Sequence, residues 1–163
     1  MKKPLRTRFS DDDITRAELH QEKIWERRKG AKTKKACNDK RDVVGFLGEL
    51  TFEKYLISRD IKFEKPPDDT GARGDSWDFK IGDLLIDVKG SQRYKDKICV
   101  NEDALKKAKG NNTMLVGVHI DLREKLGSIV GRCYPEDLIL DPDEGFVVDG
   151  KKIAMHSKQF NNN

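Results

Sequence analysis

The chain has 163 residues, 38% of them charged, with a mean hydropathy of −0.78 and a formal net charge of +4. That is room for one domain with an appendage and an economical core, and too little for a second full domain. No apolar run approaches a membrane span, the basic start MKKPLRTRF runs into SDDD without the apolar stretch of a secretory signal, and Cys37, Cys99 and Cys133 form neither a CxxC pair nor a disulfide framework, so a cytoplasmic protein is expected.

Ser10 followed by Asp11, Asp12 and Asp13 predicts a helix start, with a hydroxyl cap and then acids where the helix dipole favours them. The helix is expected to run to Lys29, with Gly30 as its left-handed cap. Its apolar stripe, Ile14, Ala17, Ile24 and Trp25, is partial, which points to peripheral packing or a partner. The following AKTKKACNDKR has no periodicity and reads as a linker. From Lys23 to Arg41 nine basic residues stand against two acidic ones, a net of +7 that leaves −3 for the rest of the chain. Such a segment suits a polyanion, and it is also the composition of a solvated helix and loop.

Asp42 to Ile57, DVVGFLGELTFEKYLI, has the most regular helical spacing, with Val43, Phe46, Leu47, Leu50, Lys54 and Ile57 along one side. Gly45, Glu49, Phe52 and Glu53 share the neighbouring side. Glycine inside a helix costs roughly 1 kcal/mol relative to alanine, so Gly45 and Gly48 need a reason, and close approach of another backbone is one. Ile61 to Glu64 is expected to form a strand, followed by the loop KPPDDTGARGD.

Ser76 to Lys89, SWDFKIGDLLIDVK, alternates as a β-hairpin. Trp77, Phe79 and Ile81 share a face of one strand and Leu84, Ile86 and Val88 a face of the other; Asp78, Lys80, Asp87 and Lys89 fall on the opposite side. A two-residue turn at Gly82-Asp83 with Gly first pairs Ile81 with Leu84, and counting outward sets Asp78 directly against Asp87. Like charges so opposed destabilise a sheet, and a divalent cation between them would relieve the conflict. The alternation by itself fits a solvated surface hairpin better than a site.

Further on, Tyr94 to Val100 holds a short strand, Asn101 caps a helix of Glu102 to Lys109, and Met114 to Leu122 reads as a buried central strand. Ser128 to Tyr134 gives another strand, PEDLI a helical turn, and Phe146 to Met155 a hairpin about Asp149 and Gly150. His20, His119 and His156 form no metal-ligand spacing, and there is no phosphate-binding glycine loop.

The core thus reads helix, strand, strand, strand, helix, strand, with GFLGE on the first helix, Asp78 on the second strand and Asp87-Val88-Lys89 on the third. In this it resembles the PD-(D/E)xK nuclease superfamily, of restriction-endonuclease-like fold, and within it the small phage and mobile-element enzymes. The resemblance covers roughly residues 42 to 122. It implies an α/β fold with a mixed central sheet flanked by helices; the N-terminal helix and basic linker, 1–41, and the terminal strands lie outside it, and the nuclease domain is expected over 42–163. It implies Asp78 and Asp87 as metal ligands, with the Val88 carbonyl as a backbone ligand and Glu49 assisting through a second metal or a water. Lys89 would orient or deprotonate the attacking water. The implied cofactor is Mg²⁺, with Mn²⁺ able to substitute, and the implied substrate is DNA. Lys32, Lys34, Lys35, Lys40 and Arg41 of the basic arm, together with Lys80, Gln92 and Arg93, would then meet the nucleic acid.

There are departures from the family pattern. Trp77 stands where the family name has proline, and Asp87 where many members have glutamate. Asp75 and Asp83 lie near enough in sequence to compete with Asp78, although Asp83 falls in the turn. Gln92 and Tyr94 do not make the QxxxY spacing of the exonuclease branch, which favours an endonuclease. A non-catalytic nucleic-acid-binding or regulatory protein and an RNase are the alternatives on the same scaffold. Cutting both strands of a duplex takes two sites, which would suit a homodimer, though no stretch of the sequence marks an interface.

Overall fold

The computed structural model describes residues 5–28, 40–67, 77–141 and 145–149. Among them, five strands make a mixed sheet in the order β1-β6-β5-β3-β2, where β1 is Arg6–Arg8, β2 Phe79–Ile81, β3 Leu84–Ser91, β5 Met114–Asp121 and β6 Leu126–Cys133. Only β3 and β5 run parallel; the other neighbours are antiparallel. The chain is therefore a mixed α/β protein. A smaller sheet of three strands, in the order β4-β8-β7, is built from β4 (Lys97–Val100), β7 (Ile139–Asp141) and β8 (Gly145–Asp149).

Alternation along β5 explains the layers. Met114, Val116, Val118 and Ile120 face helix α2 (Arg41–Ser58) and are buried in one cluster with Leu47, Phe52 and Leu56. Leu115, on the other face, is buried with Ile98 and Val100 of β4, Cys133 of β6, and Leu105 and Ala108 of helix α3 (Glu102–Gly110). The MLVGVHID run is thus continuous in hydrophobicity because both its faces are covered. Burial also pushes the Cys133 thiol up to about 12, which makes it an inert core residue.

Helix α1 (Asp11–Arg28) begins as its cap predicts: Ser10 Oγ accepts from Asp13 N–H at 3.1 Å while Ser10 N–H donates to Asp13 Oδ2 at 2.9 Å. Asp13 is buried and accepts from Lys54 Nζ of α2 at 2.6 Å, so the lysine counted on the apolar side of α2 ties the two helices together. Packing is on α2, with Phe9 and Ala17 in the same buried cluster as Val43 and Leu50. Residues before 41 therefore share a core with those after it.

Several expectations are corrected by the strand pairing. Ile61 to Glu64 makes a single bridge, Glu64 with Lys80, instead of a full strand. β8 pairs with β7 and β4; the return strand of the expected hairpin about Asp149-Gly150 falls on residues 150–163, which lie outside the described residues. PEDLI divides into a 3₁₀ turn, Pro135–Asp137, and the start of β7. Strand β1 has no counterpart in the sequence reading, since three polar residues show no alternation to detect. No helix among the described residues is long and apolar enough to cross a membrane.

Candidate active site

The hairpin forms in the expected register, Ile81 with Leu84, Lys80 with Leu85 and Phe79 with Ile86. Gly82 has φ +59° while Asp83 stays at negative φ, the sign pattern of a turn with glycine first. Phe79, Ile86 and Val88 are buried, as their face requires.

At Asp78 the register departs from a simple outward count. Asp78 N–H donates to Ile86 O at 2.7 Å, the carbonyl of the residue already opposite Phe79, so Asp78 and Phe79 share one partner as in a β-bulge. The Asp78 carboxylate turns to the backbone, and its Oδ2 accepts from Val88 N–H at 2.6 Å. Asp78 thus does not stand straight across from Asp87; the bulge re-aims it. Asp87 Oδ2 instead lies 2.7 Å from Lys89 Nζ, two residues along the same face of β3.

Glu49 reaches this point through a glycine contact. A Cβ added to Gly48 would stand 3.0 Å from the Gly90 Cα and 3.3 Å from its nitrogen, and one added to Gly90 would overlap the Val44 carbonyl oxygen. Helix and strand backbones therefore touch here. The contact brings Glu49, the residue after Gly48, to the stretch of β3 that carries Asp87 and Lys89. Gly45 is different: a Cβ there would meet nothing within 4 Å, so close approach does not account for it.

Electrostatics bind the acids into one group. Burial pushes the Glu49 carboxyl up to about 7; Lys65 opposes that rise, Asp87 and Glu53 add to it, and Lys89 opposes it. Burial also pushes Asp78 up to about 8, with Glu49 and Asp87 adding to the rise and the Val88 hydrogen bond and Lys89 opposing it. Glu49, Asp78, Asp87 and Lys89 accordingly lie close enough for their charges to act on one another. Two half-buried carboxyls whose pKa values are raised toward neutrality are poised for acid–base work or for a cation.

Lys65 and Glu53 are additions to this group. Lys65 Nζ lies 3.1 Å from Glu53 Oε2 and 5.3 Å from the centre of the Phe79 ring. Glu53 was legible as a neighbour of Glu49 one helical turn on; Lys65 carried no signal beyond following the strand expected over Ile61 to Glu64.

The remaining residues are dispersed. Lys80 faces the same side of the sheet as Asp87 and Lys89, since it pairs with Leu85. Gln92 and Arg93 are exposed just past β3, with the Gln92 carbonyl 3.1 Å from His119 Nε2 and the Arg93 guanidinium 5.2 Å from the Tyr94 ring. Lys40 is exposed at the N-cap of α2 and Arg41 opens that helix. Lys32, Lys34, Lys35 and Asp75 lie outside the described residues, and Asp83 is exposed in the turn. Among the described residues no three His, Cys, Asp or Glu side chains converge as a ready-made metal cage.

A scan against protein-family models and a search of curated proteins each found no match.

Proposed function

We propose that the protein is a metal-dependent nuclease that hydrolyses DNA phosphodiester bonds at the group formed by Glu49, Asp78, Asp87 and Lys89, on a restriction-endonuclease-like fold. The observation that carries this is the pair of half-buried acids with raised pKa values, Glu49 and Asp78, beside the Asp87–Lys89 ion pair at the bulged end of the hairpin. The element order supports the fold reading: α2, the Glu64 bridge, β2, β3, then β4 of the second sheet, α3, and β5 parallel to β3.

The donor set fits a hard divalent cation. It is all oxygen, it gathers negative charge in a partly dry place, and Mg²⁺ takes one or two carboxylates with the rest of its shell from water and phosphate. Asp78 and Asp87 would hold Mg²⁺, or Mn²⁺, with the Val88 carbonyl and Glu49 as further donors, and the ion would supply positive charge to a phosphoryl oxygen and lower the pKa of water. Glu49 would assist from the helix side through a second metal or a metal-bound water. Lys89, held by Asp87, orients that water and offsets the charge that builds on the phosphate. Lys32, Lys34, Lys35, Lys40 and Arg41 hold the DNA backbone, and Lys80, Gln92 and Arg93 meet it nearer the site. A homodimer would cut both strands.

The test is an assay over linear, circular, single-stranded and branched DNA, and RNA, with and without Mg²⁺. DNA cleavage that requires Mg²⁺ and weakens steeply as salt rises is the expected result. DNA bound but uncut at millimolar Mg²⁺ would leave a non-catalytic binding protein, and cleavage confined to RNA an RNase. Deleting residues 1–41 would not isolate the basic arm, because β1 and α1 belong to the core; substituting Lys32, Lys34 and Lys35 does.

A further inference from the structure

We infer that Lys65 binds a backbone phosphate of the substrate beside the acid group, exchanging its Glu53 partner for a phosphate oxygen. The inference rests on the nuclease reading and names a residue that the resemblance does not supply.

The backbone of Lys65 is fixed from both sides. Glu64, before it, exchanges two backbone hydrogen bonds with Lys80, at 2.8 and 2.9 Å. Pro66, after it, restricts Lys65 to extended conformations. The ammonium then lies over the edge of the site: 3.1 Å from Glu53, 5.3 Å from the centre of the Phe79 ring, and acting on Glu49 more strongly than any other charge there. Phe79 directly follows Asp78, so Lys65 approaches the acids from the α2 and β2 side, while Lys89 approaches from β3.

A lysine so placed has two uses. As half of a surface ion pair it would contribute little, because its side chain is 43% exposed and exposed pairs are weak. That weakness makes the partner easy to exchange. The acids at this point repel a polyanion, and Lys89 is engaged with Asp87. A second ammonium on a fixed backbone and a flexible stem gives the phosphate a cation to bind, in the point-charge manner of lysine.

The test measures binding of the full chain to a fluorescent DNA duplex of about 20 base pairs without divalent metal, over a range of salt. Lys65→Met is expected to weaken binding roughly fivefold and to lower the slope of log K against log salt by about 0.9, the release of one counterion. Lys65→Arg is expected to keep the wild-type slope. Glu53→Gln removes the ion pair but leaves the lysine, and is expected to tighten binding about twofold. A purely structural pair predicts the opposite pattern, with Lys65→Met and Glu53→Gln equal in effect. That equality, or a slope unchanged in Lys65→Met while the wild type binds, overturns the inference and leaves the nuclease reading standing. A wild type that neither binds nor cuts nucleic acid overturns both.

Discussion

Asp78→Asn is expected to make the metal-free protein more stable at pH 8 while reducing Mg²⁺-dependent cleavage at least about 100-fold. The stability half follows from linkage. The folded-state pKa values of Asp78 and Glu49, about 8 and about 7, lie above their unfolded values, so folding takes up protons. The stability these acids allow is fully present below about pH 4 and is lost as the pH rises through 7 and 8. Asparagine stays neutral throughout and can still accept the Val88 N–H through its amide oxygen. The variant's advantage therefore widens from about pH 4 to about pH 8 and then holds, at roughly 2 kcal/mol or more, about 4–8 °C in Tm for a chain of this size. Millimolar Mg²⁺ should stabilise the wild type at pH 8 and barely move Asp78→Asn. Thermal melts from pH 4 to 9, with and without Mg²⁺, check both statements; a variant less stable than the wild type at pH 8 would count against a strained acid cluster.

Gly90→Ala is expected to destabilise the fold by about 1–3 kcal/mol or more, because its Cβ would overlap a backbone oxygen of Val44 that no side-chain rotation can move. Relief requires α2 to shift away from β3, carrying Glu49 with it. Activity should fall further than stability does, since a displacement of about 1 Å at a reacting centre can cost on the order of 100-fold. Gly45→Ala supplies the contrast on the same helix: its Cβ enters open space, so it should leave activity intact and add up to about 1 kcal/mol from helix propensity. Denaturant unfolding of the two variants distinguishes them. Equal effects would mean that the helix–strand contact does not position the site.

Those two glycines show where sequence reasoning reaches and where it stops. A glycine beside a carboxylate in a helix announces a close approach, and Gly48 has one; Gly45, with the same sequence signal, does not, because direction around the helix decides and spacing alone does not give it. The hairpin was legible for a firmer reason. Alternation and a Gly-first turn leave one register that buries Phe79, Ile86 and Val88 together. The bulge at Asp78 was not legible, since it comes from a side chain competing with the backbone for the Val88 N–H. Strand β1 and the second sheet leave no such mark in the sequence. Their partners are set by tertiary pairing of Arg6–Arg8 with β6, and of β4 with a strand more than forty residues later. Lys65 belongs with them: its place follows from the Glu64 bridge, a single pairing where a full strand was expected.

The partial burial of Glu49 and Asp78 costs stability at the site. A chain with a small core keeps two acids in a place that raises their pKa values, at a cost in stability that neither packing nor the Asp87–Lys89 pair removes. Active sites commonly hold such strain, and a cation with its substrate is the ligand that would relieve it.

Cleavage of supercoiled DNA by wild-type protein and by Asp87→Ala, at pH 8 with Mg²⁺, decides whether the acid group is a nuclease site. Asp87→Ala removes one carboxylate from a half-buried position on β3, leaves the strand's core face untouched, and should keep the fold, as thermal unfolding can verify. The account predicts Mg²⁺-dependent cleavage by the wild type and none above background by the folded variant. Cleavage by Asp87→Ala at the wild-type rate would contradict it.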